Sequence, residues 1–307
     1  MLDNVLDFIR ATEEAAIAAS KWVGTGEKVK ADEAATEAMI RRFGKIDFAG
    51  RVAIGEGKKD KSAGLFFGDR VGKLKGKVSA NEELELAVDP IDGTRPTVTS
   101  GPEALSVVAL AEPGSLLSTD VYYMNKLAYG PEIKNKVVLK LTDPIEHTIR
   151  LISAATGKDF SKIMVCLLDR PRHESIVKEL RKLGVRIKLI QDCDISGAIA
   201  TCLPESGIDL LCGVGGAPEG VITACAMKCL QGGFQAQLAD KEGKVQDLKV
   251  YGIDEIVSGH CVFAATGITN GSLLRGVRYT SLGPVTNSVI MRSKSGTVRW
   301  VTAHHGN

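Results

Sequence analysis

Apolar residues recur along the chain with two alternating periods, and these lay out its elements. Leu2, Val5, Leu6 and Ile9 stand at helical spacing, and the alanine-rich continuation to Trp22 predicts one long amphipathic helix that Gly24-Thr25-Gly26 stops. A second helix is expected from about Asp32 to Phe43, with Ala35, Met39, Ile40 and Phe43 on one side. Arg51 to Ile54 reads as a short strand closed by Gly55-Glu56-Gly57. Lys58 to Lys77, rich in Lys, Asp and Gly, reads as a solvated excursion or lid. Leu84, Leu86 and Val88 alternate, which predicts a strand with one buried face; Leu105 to Ala111 and Val137 to Leu141 are further strands.

The second half is more regular. Asp143 and Pro144 suit the start of a helix that buries Ile145, Ile149 and Ile152. Strands are expected at Lys162 to Leu168, Val185 to Ile190, Ile208 to Gly213 and Cys261 to Ala265. Helices are expected at about His173 to Leu183, near Ile195 to Leu203, and from near Glu219. A β-hairpin around Lys294-Ser295-Gly296 joins Asn287–Arg292 to Thr297–Thr302. Strand and helix alternating in this way predict right-handed crossovers and a layered α/β fold. The first half is less regular, so the expected class is α+β over residues 1–156 and α/β over 157–307.

Composition narrows the function classes. Of 307 residues 44% are hydrophobic and 25% charged, which is the globular average and excludes wholesale disorder, collagen and coiled coil. Lys and Arg number 39 against 37 Asp and Glu, too even a balance for a large nucleic-acid face. The 33 glycines and 5% aromatics suit tight strand-to-helix loops better than a base-stacking platform. No apolar run approaches a membrane span, and acids stand where a signal peptide carries its positive region. The seven cysteines, an odd number inside apolar stretches, read as buried free thiols of a cytoplasmic protein. Cys225 and Cys229 read as helix packing.

The chemistry lies in the carboxylates that follow buried strands: Glu56 after Val52-Ala53-Ile54, Asp89 and Asp92 after Leu86-Ala87-Val88, and Glu219 after Leu210 to Val214. Ligands of layered α/β folds sit off the carboxyl ends of strands, so acids at three such loops can converge on one cleft. Several carboxylates there repel one another unless a cation neutralises them, and hard divalent ions with oxygen ligands are the natural solution. Each acid alone could equally be a turn or cap residue. In Asp89-Pro90-Ile91-Asp92-Gly93-Thr94, two carboxylates three apart can hold metals in a short turn, Gly93 admits a phosphate, and Thr94 offers a hydroxyl at a helix start. Asp89 and Asp92 stand one residue too far apart for a dehalogenase-type D-x-D, and no G-x-x-x-x-G-K-[ST] loop is present.

This segment resembles the metal motif of the lithium-sensitive sugar and inositol phosphatase superfamily. Lys21-Trp22, Lys28, Ala31-Asp32, Ile54-Gly55-Glu56-Gly57, Tyr123-Met124, Lys126-Leu127, Pro171-Arg172-His173, Asp192-Cys193-Asp194, Gly215-Gly216-Ala217-Pro218-Glu219-Gly220 and Ala265-Thr266-Gly267-Ile268-Thr269 extend the likeness nearly end to end. Together they resemble the class II, bacterial-type fructose-1,6-bisphosphatases. The resemblance implies a layered α-β-α-β-α sugar-phosphatase fold and hydrolysis of the 1-phosphate of fructose 1,6-bisphosphate in gluconeogenesis. It also implies a Mn²⁺ or Mg²⁺ cofactor and a homodimer or homotetramer.

Residue by residue, the resemblance gives Asp32 and Glu56 to one metal, and Asp89, Asp92 and Glu219 to a second. Thr94 would position the attacking water and Glu56 would draw off its proton. Asp92, Gly93 and Thr94 would also touch substrate. Arg170, Pro171, Arg172, His173 and Tyr123 would hold the far phosphate; Asp192, Cys193 and Asp194 would meet the sugar, and Gly216 would close the site with its backbone. Read as plain structure, His173 is a surface residue, Tyr123 is core and Asp194 is a helix cap. Four positions depart from the pattern. Arg170 replaces lysine, Asp92 replaces glutamate, Cys193 replaces glycine and narrows the sugar pocket, and Lys58-Lys59 alter the charge near the first metal. Rival readings are a broader bisphosphatase acting on sedoheptulose 1,7-bisphosphate, an inositol- or nucleotide-phosphate phosphatase, and a non-catalytic metal-binding sugar-phosphate sensor.

Overall fold

The computed structural model describes residues 5–55 and 64–306. Glu56, Gly57, Lys58 and Lys59, with the expectations attached to them, lie outside the described residues. The chain opens with α1 (Leu6–Ser20) and α2 (Lys28–Phe43), then β1 (Gly50–Ile54), a short β2 (Arg70–Val71) and β3 (Leu84–Asp92). After α3 (Thr94–Thr99) come β4 (Leu105–Ala111), β5 (Tyr123–Tyr129), α4 (Pro131–Lys134) and α5 (Ile145–Thr156). The next stretch alternates: β6 (Met164–Leu168), α6 (Glu174–Lys182), β7 (Arg186–Ile190), α7 (Asp194–Ala200), β8 (Leu210–Gly216) and α8 (Ala217–Cys229). The chain closes with β9 (Gly233–Ala239), β10 (Val245–Gly252), α9 (Ile253–Ile256), β11 (Cys261–Gly267), β12 (Arg278–Thr280), β13 (Gly283–Arg292) and β14 (Thr297–His304).

The strands form two sheets. One runs β12-β13-β11-β4-β3-β1-β2 with β14 on β13, and the other runs β10-β9-β5-β8-β6-β7. Strand alternation sorts the core into layers. On β4, Val108 and Leu110 pack with Phe8, Ala15, Ala35 and Met39 of α1 and α2, whereas Val107 and Ala109 pack with Val221, Ala224 and Cys225 of α8. On β6, Cys166 faces α7 and α8, while Val165 and Leu167 face Ile149 and Ile152 of α5 and Leu180 of α6. The result is five layers: α1 and α2, a sheet, the α7–α8–α9 layer, the second sheet, and α4 to α6. The α-β-α-β-α expectation holds, as does the α/β class. Alanines at 11, 15, 19, 31, 35 and 38 are all buried and let the first two helices approach closely.

Sequence periodicity misjudged four features. Val137–Leu141 forms no strand; the side-chain amide of Gln235 donates to Leu139 O (2.7 Å) and accepts from Leu141 N (2.8 Å), standing in for a strand neighbour. Leu84–Asp92 has no solvent face: all its positions are buried because helices cover both sides of its sheet. The first helix buries Phe8, Ile9 and its alanines and leaves Leu6 59% exposed. Lastly, the sheets do not divide the chain at 156/157. β5 completes the second sheet, and β11 to β14 belong to the first. β2, inside the stretch read as a solvated excursion, was not foreseen, nor were β5, β9, β10 and β12.

All seven cysteines are free thiols. Cys229 of α8 lies 4.0 Å from Cys261 of β11, so the i, i+4 pair does serve helix-to-sheet packing. Among the described residues, no helix is long and apolar enough to cross a membrane.

Candidate active site

The second sheet has a reversal in strand order at β6, which pairs in parallel with β7 on one side and β8 on the other. From β6 the chain crosses the outer face through α6 to β7, then returns over the inner face through α7 to β8. Such a reversal opens a crevice at the carboxyl ends of the strands. Into it run Arg170-Pro171-Arg172 after β6, Asp192-Cys193-Asp194 after β7, and Gly215-Gly216 at the end of β8. From the first sheet, β3 delivers Asp89, Asp92, Gly93 and Thr94 to the same place, and antiparallel β5 begins there with Tyr123. The cleft they line measures about 1000 Å³.

One end is acidic. Asp89 and Asp92 are buried, and the local turn exists because Pro90 interrupts the β3–β4 register and Gly93 adopts φ +97°, a left-handed conformation. Thr94 starts α3 and donates from Oγ1 to Asp32 Oδ1 at 2.8 Å, which ties α2 to the turn. Glu219 stands in the first turn of α8, after Pro218. Asp92 Oδ2 and Glu219 Oε2 are buried oxygens with no hydrogen-bond partner. Burial first, then the charges of Asp194 and Glu219, push the Asp92 carboxyl well above the usual carboxylate range. Burial raises Glu219 as well, against the pull of Lys126.

The other end is basic. Arg172 is held by its own backbone surroundings, donating to Val214 O through Nη2 (2.8 Å) and Nε (3.3 Å), and its guanidinium lies 5.7 Å from the Tyr123 ring centre. Arg170 pairs with Asp192 across the mouth of the cleft. Tyr123 is half-buried and packs edge-on against exposed Tyr122, so it is a cleft residue and not core.

Three assignments change. His173 does not line the cleft and is not at the surface; it is 3% exposed. Its Nδ1 lies 2.7 Å from Leu168 O, and its Nε2 accepts from Val214 N at 2.8 Å, which defines a neutral ring with Nδ1 donating. It clips the end of β6 to β8 and so sets the loop that carries Arg172; Gly213 leaves room for the ring, since a Cβ there would lie 2.7 Å from Nε2. Asp194 makes no side-chain cap; its Oδ2 accepts from Lys126 at 2.7 Å. Cys193 has φ +68°, which explains why a glycine fits this position, and its thiol turns beneath the metal-motif turn, 3.3 Å from Asp92 O. Its thiol thus supports Asp92 and Gly93, although Cys193 also borders the cleft.

Burial holds the His173 pKa below its ordinary value. The unfolded chain takes up a proton near pH 6.5 while the folded chain resists, so stability falls as pH drops below about 6.5. Wild type should lose more stability than His173→Asn between pH 7.5 and 5 in denaturant titrations; parallel curves would remove the neutral-ring assignment.

Lys126 enters the sequence reading only as part of the family likeness, without a role. It lies on β5 between Met124 and Ala128, on the face that packs against α8, and is 1% exposed. Taking an ammonium out of water costs several kcal/mol even after relaxation, so a lysine among apolar neighbours signals a buried partner. That signal was legible in the alternation of β5. Lys241 and Glu242, from the β9–β10 turn, also line the cleft, and nothing in their local sequence marks them; Lys28, which the likeness names without a role, lines it too.

A metal is not needed to explain the fold of this site, but its donors fit one. They are hard carboxylate oxygens, two of them are orphaned and buried, and desolvation disfavours their charge without a cation. Among the described residues, no group of three or more His, Cys, Asp or Glu stands ready to hold a metal ion; Glu56 lies outside them.

The family model of the bacterial fructose-1,6-bisphosphatases (glpX-encoded) matches residues 3–305. Proteins named D-fructose 1,6-bisphosphatase class 2/sedoheptulose 1,7-bisphosphatase are similar along the whole chain. The one from Microcystis aeruginosa is 37% identical over 98% of this chain and 95% of its own length. The one from Trichodesmium erythraeum is 38% identical, over 99% and 97%. The one from Crocosphaera subtropica is 37% identical, over 98% and 95%. Strand-end acids, the Asp89–Thr94 turn and the paired arginines thus stand in a chain whose whole length matches one family of phosphomonoester hydrolases: this chain belongs to the bacterial fructose-1,6-bisphosphatase family.

Proposed function

We propose that the chain hydrolyses the 1-phosphate of fructose 1,6-bisphosphate, giving fructose 6-phosphate and inorganic phosphate for gluconeogenesis. The observation that carries this reading is the polarity of a single cleft: buried carboxylates with orphaned oxygens at one end and two guanidiniums at the other. A substrate with a phosphate at each end fits that polarity. Asp32 and Glu56 would hold one divalent ion, and Asp89, Asp92 and Glu219 a second. Bound there, Mn²⁺ or Mg²⁺ would supply Lewis acidity for the water and neutralise the departing alkoxide.

The chain's own groups do the rest. Thr94 Oγ1 spends its proton on Asp32, so its lone pairs are left to accept from the attacking water and aim it at phosphorus. The water oxygen forms the new P–O bond as the bond to the C1 oxygen breaks, and Glu56 takes the water's proton. Arg172, Arg170 and Tyr123 hold the 6-phosphate, with planar donors on a loop that the His173 clip keeps in place. Asp192 and Asp194 accept from sugar hydroxyls, and the Gly216 backbone closes over the ring. The free thiols suit a reducing cytoplasm. Assembly as a homodimer or homotetramer belongs to the same reading.

Phosphate release from fructose 1,6-bisphosphate, sedoheptulose 1,7-bisphosphate and inositol monophosphate should be assayed with Mn²⁺, with Mg²⁺ and with chelator. Turnover of the fructose substrate with either metal, and its loss in chelator, is the expected result. Equal rates in chelator would overturn the metal reading. The relatives' double name gives sedoheptulose 1,7-bisphosphate a specific claim as a second substrate. Inositol monophosphate, which offers nothing to Arg172, should turn over poorly.

A further inference from the structure

We propose that Lys126 is a positioning residue: a cation built into the site that balances its acids, aims Asp194, and sets how tightly the acidic end takes up a divalent ion. The inference rests on the metal reading of that end.

The geometry around Lys126 is specific. Its whole side chain is buried, between the floor of β5 and β8 and the first turn of α8. Its Nζ lies 2.7 Å from Asp194 Oδ2. Two glycines make the space. A Cβ on Gly215 would lie 2.8 Å from Nζ and would collide with the Asp194 carboxylate. A Cβ on Gly220 would lie 3.3 Å from the lysine Cε and 2.8 Å from Met124 Sδ. Both glycines therefore serve the ammonium, on either side of Glu219.

Charge gives the device its purpose. Asp92, Asp194 and Glu219 face one another, with Asp192 beside them, and Lys126 acts electrostatically on both Asp92 and Glu219. A fixed monocation shared among these acids keeps the metal-free cleft from bursting apart by repulsion. The same charge repels an incoming divalent ion, so affinity is held down to a reversible range. Lys126 would thus act through the carboxylates, without contact to the reacting atoms.

The test measures metal uptake, not turnover: titration of the metal-free protein with Mn²⁺ by calorimetry, alongside thermal melts with and without Mn²⁺. Lys126→Met removes the charge and keeps the shape; it should bind Mn²⁺ at least tenfold more tightly, melt lower without metal, and regain more on adding it. Asp194→Asn removes a negative charge and keeps the lysine, so it should bind at least tenfold more weakly. The double variant should return to near the wild-type affinity, a reversal that simple structural damage would not produce. If Lys126→Met does not fold, Asp194→Asn decides alone, because an unchanged affinity there contradicts a shared charge balance. Wild-type uptake with no tightening in folded Lys126→Met overturns this inference only. A wild type that takes up no Mn²⁺ overturns the metal reading and this inference with it.

Discussion

Thr94→Ala lowers kcat for fructose 1,6-bisphosphate by about a hundredfold or more, while KM moves by no more than about threefold. The hydroxyl sits at the junction of the two halves of the acidic end: it donates to Asp32 on α2 and opens α3 directly after the Asp89–Gly93 turn. In the proposed mechanism its lone pairs would orient the attacking water, and an alanine would leave that water free to rotate. In the same proposal substrate affinity would come from the guanidiniums at the other end, so KM should change little. Thr94→Ser keeps the oxygen and should recover most of the rate. Steady-state kinetics at saturating Mn²⁺ decide the matter. A Thr94→Ala enzyme with wild-type kcat removes the hydroxyl from the mechanism.

Arg172→Ala raises KM for the bisphosphate by roughly tenfold to a hundredfold, since hydrogen bonds to a charged group are worth about 1.5–3 kcal/mol each. The arginine is already oriented by Val214 O and by the Tyr123 ring, so little entropy is lost when a phosphate arrives. Arg172→Lys should recover only part of the affinity, because an ammonium is a point charge without the planar fork. The discriminating comparison uses a sugar carrying a phosphate at C1 alone. Wild type and Arg172→Ala should treat that substrate alike. An unchanged KM for the bisphosphate would place the far phosphate elsewhere.

What could be read from the sequence was the chemistry of single loops. Asp89 to Thr94 announces itself because proline, glycine and the two acids act within six residues, and the left-handed Gly93 is a local demand. Helices and strands from Asp143 to Cys229 follow for the same reason: each period is complete within its own segment. Failures came where a residue's role depends on partners far along the chain. His173 carries no local mark of burial, since Leu168 and Val214, which hold its two nitrogens, arrive on different strands. Cys193 reads as an intrusion until its thiol is seen supporting Asp92. Gln235 replaces a whole strand neighbour for residues 139–141, which no alternation rule anticipates. Lys126 broke the apolar face of β5 and so concealed the strand, although the interruption was itself the clue.

The exchange of strands between the sheets also fixes the order in which the protein can be completed. β4 has β3 on one side, but its other neighbour, β11, is made far later and carries β13 and then β14 with it. A nascent chain that has emerged as far as α5 holds an open sheet edge at β4 and, in β5, a strand with no partners yet. Neither can be satisfied until β8, β9 and β11 have left the ribosome. Closing such distant pairings is entropically slow, and the waiting edges are the surfaces on which unfinished chains aggregate.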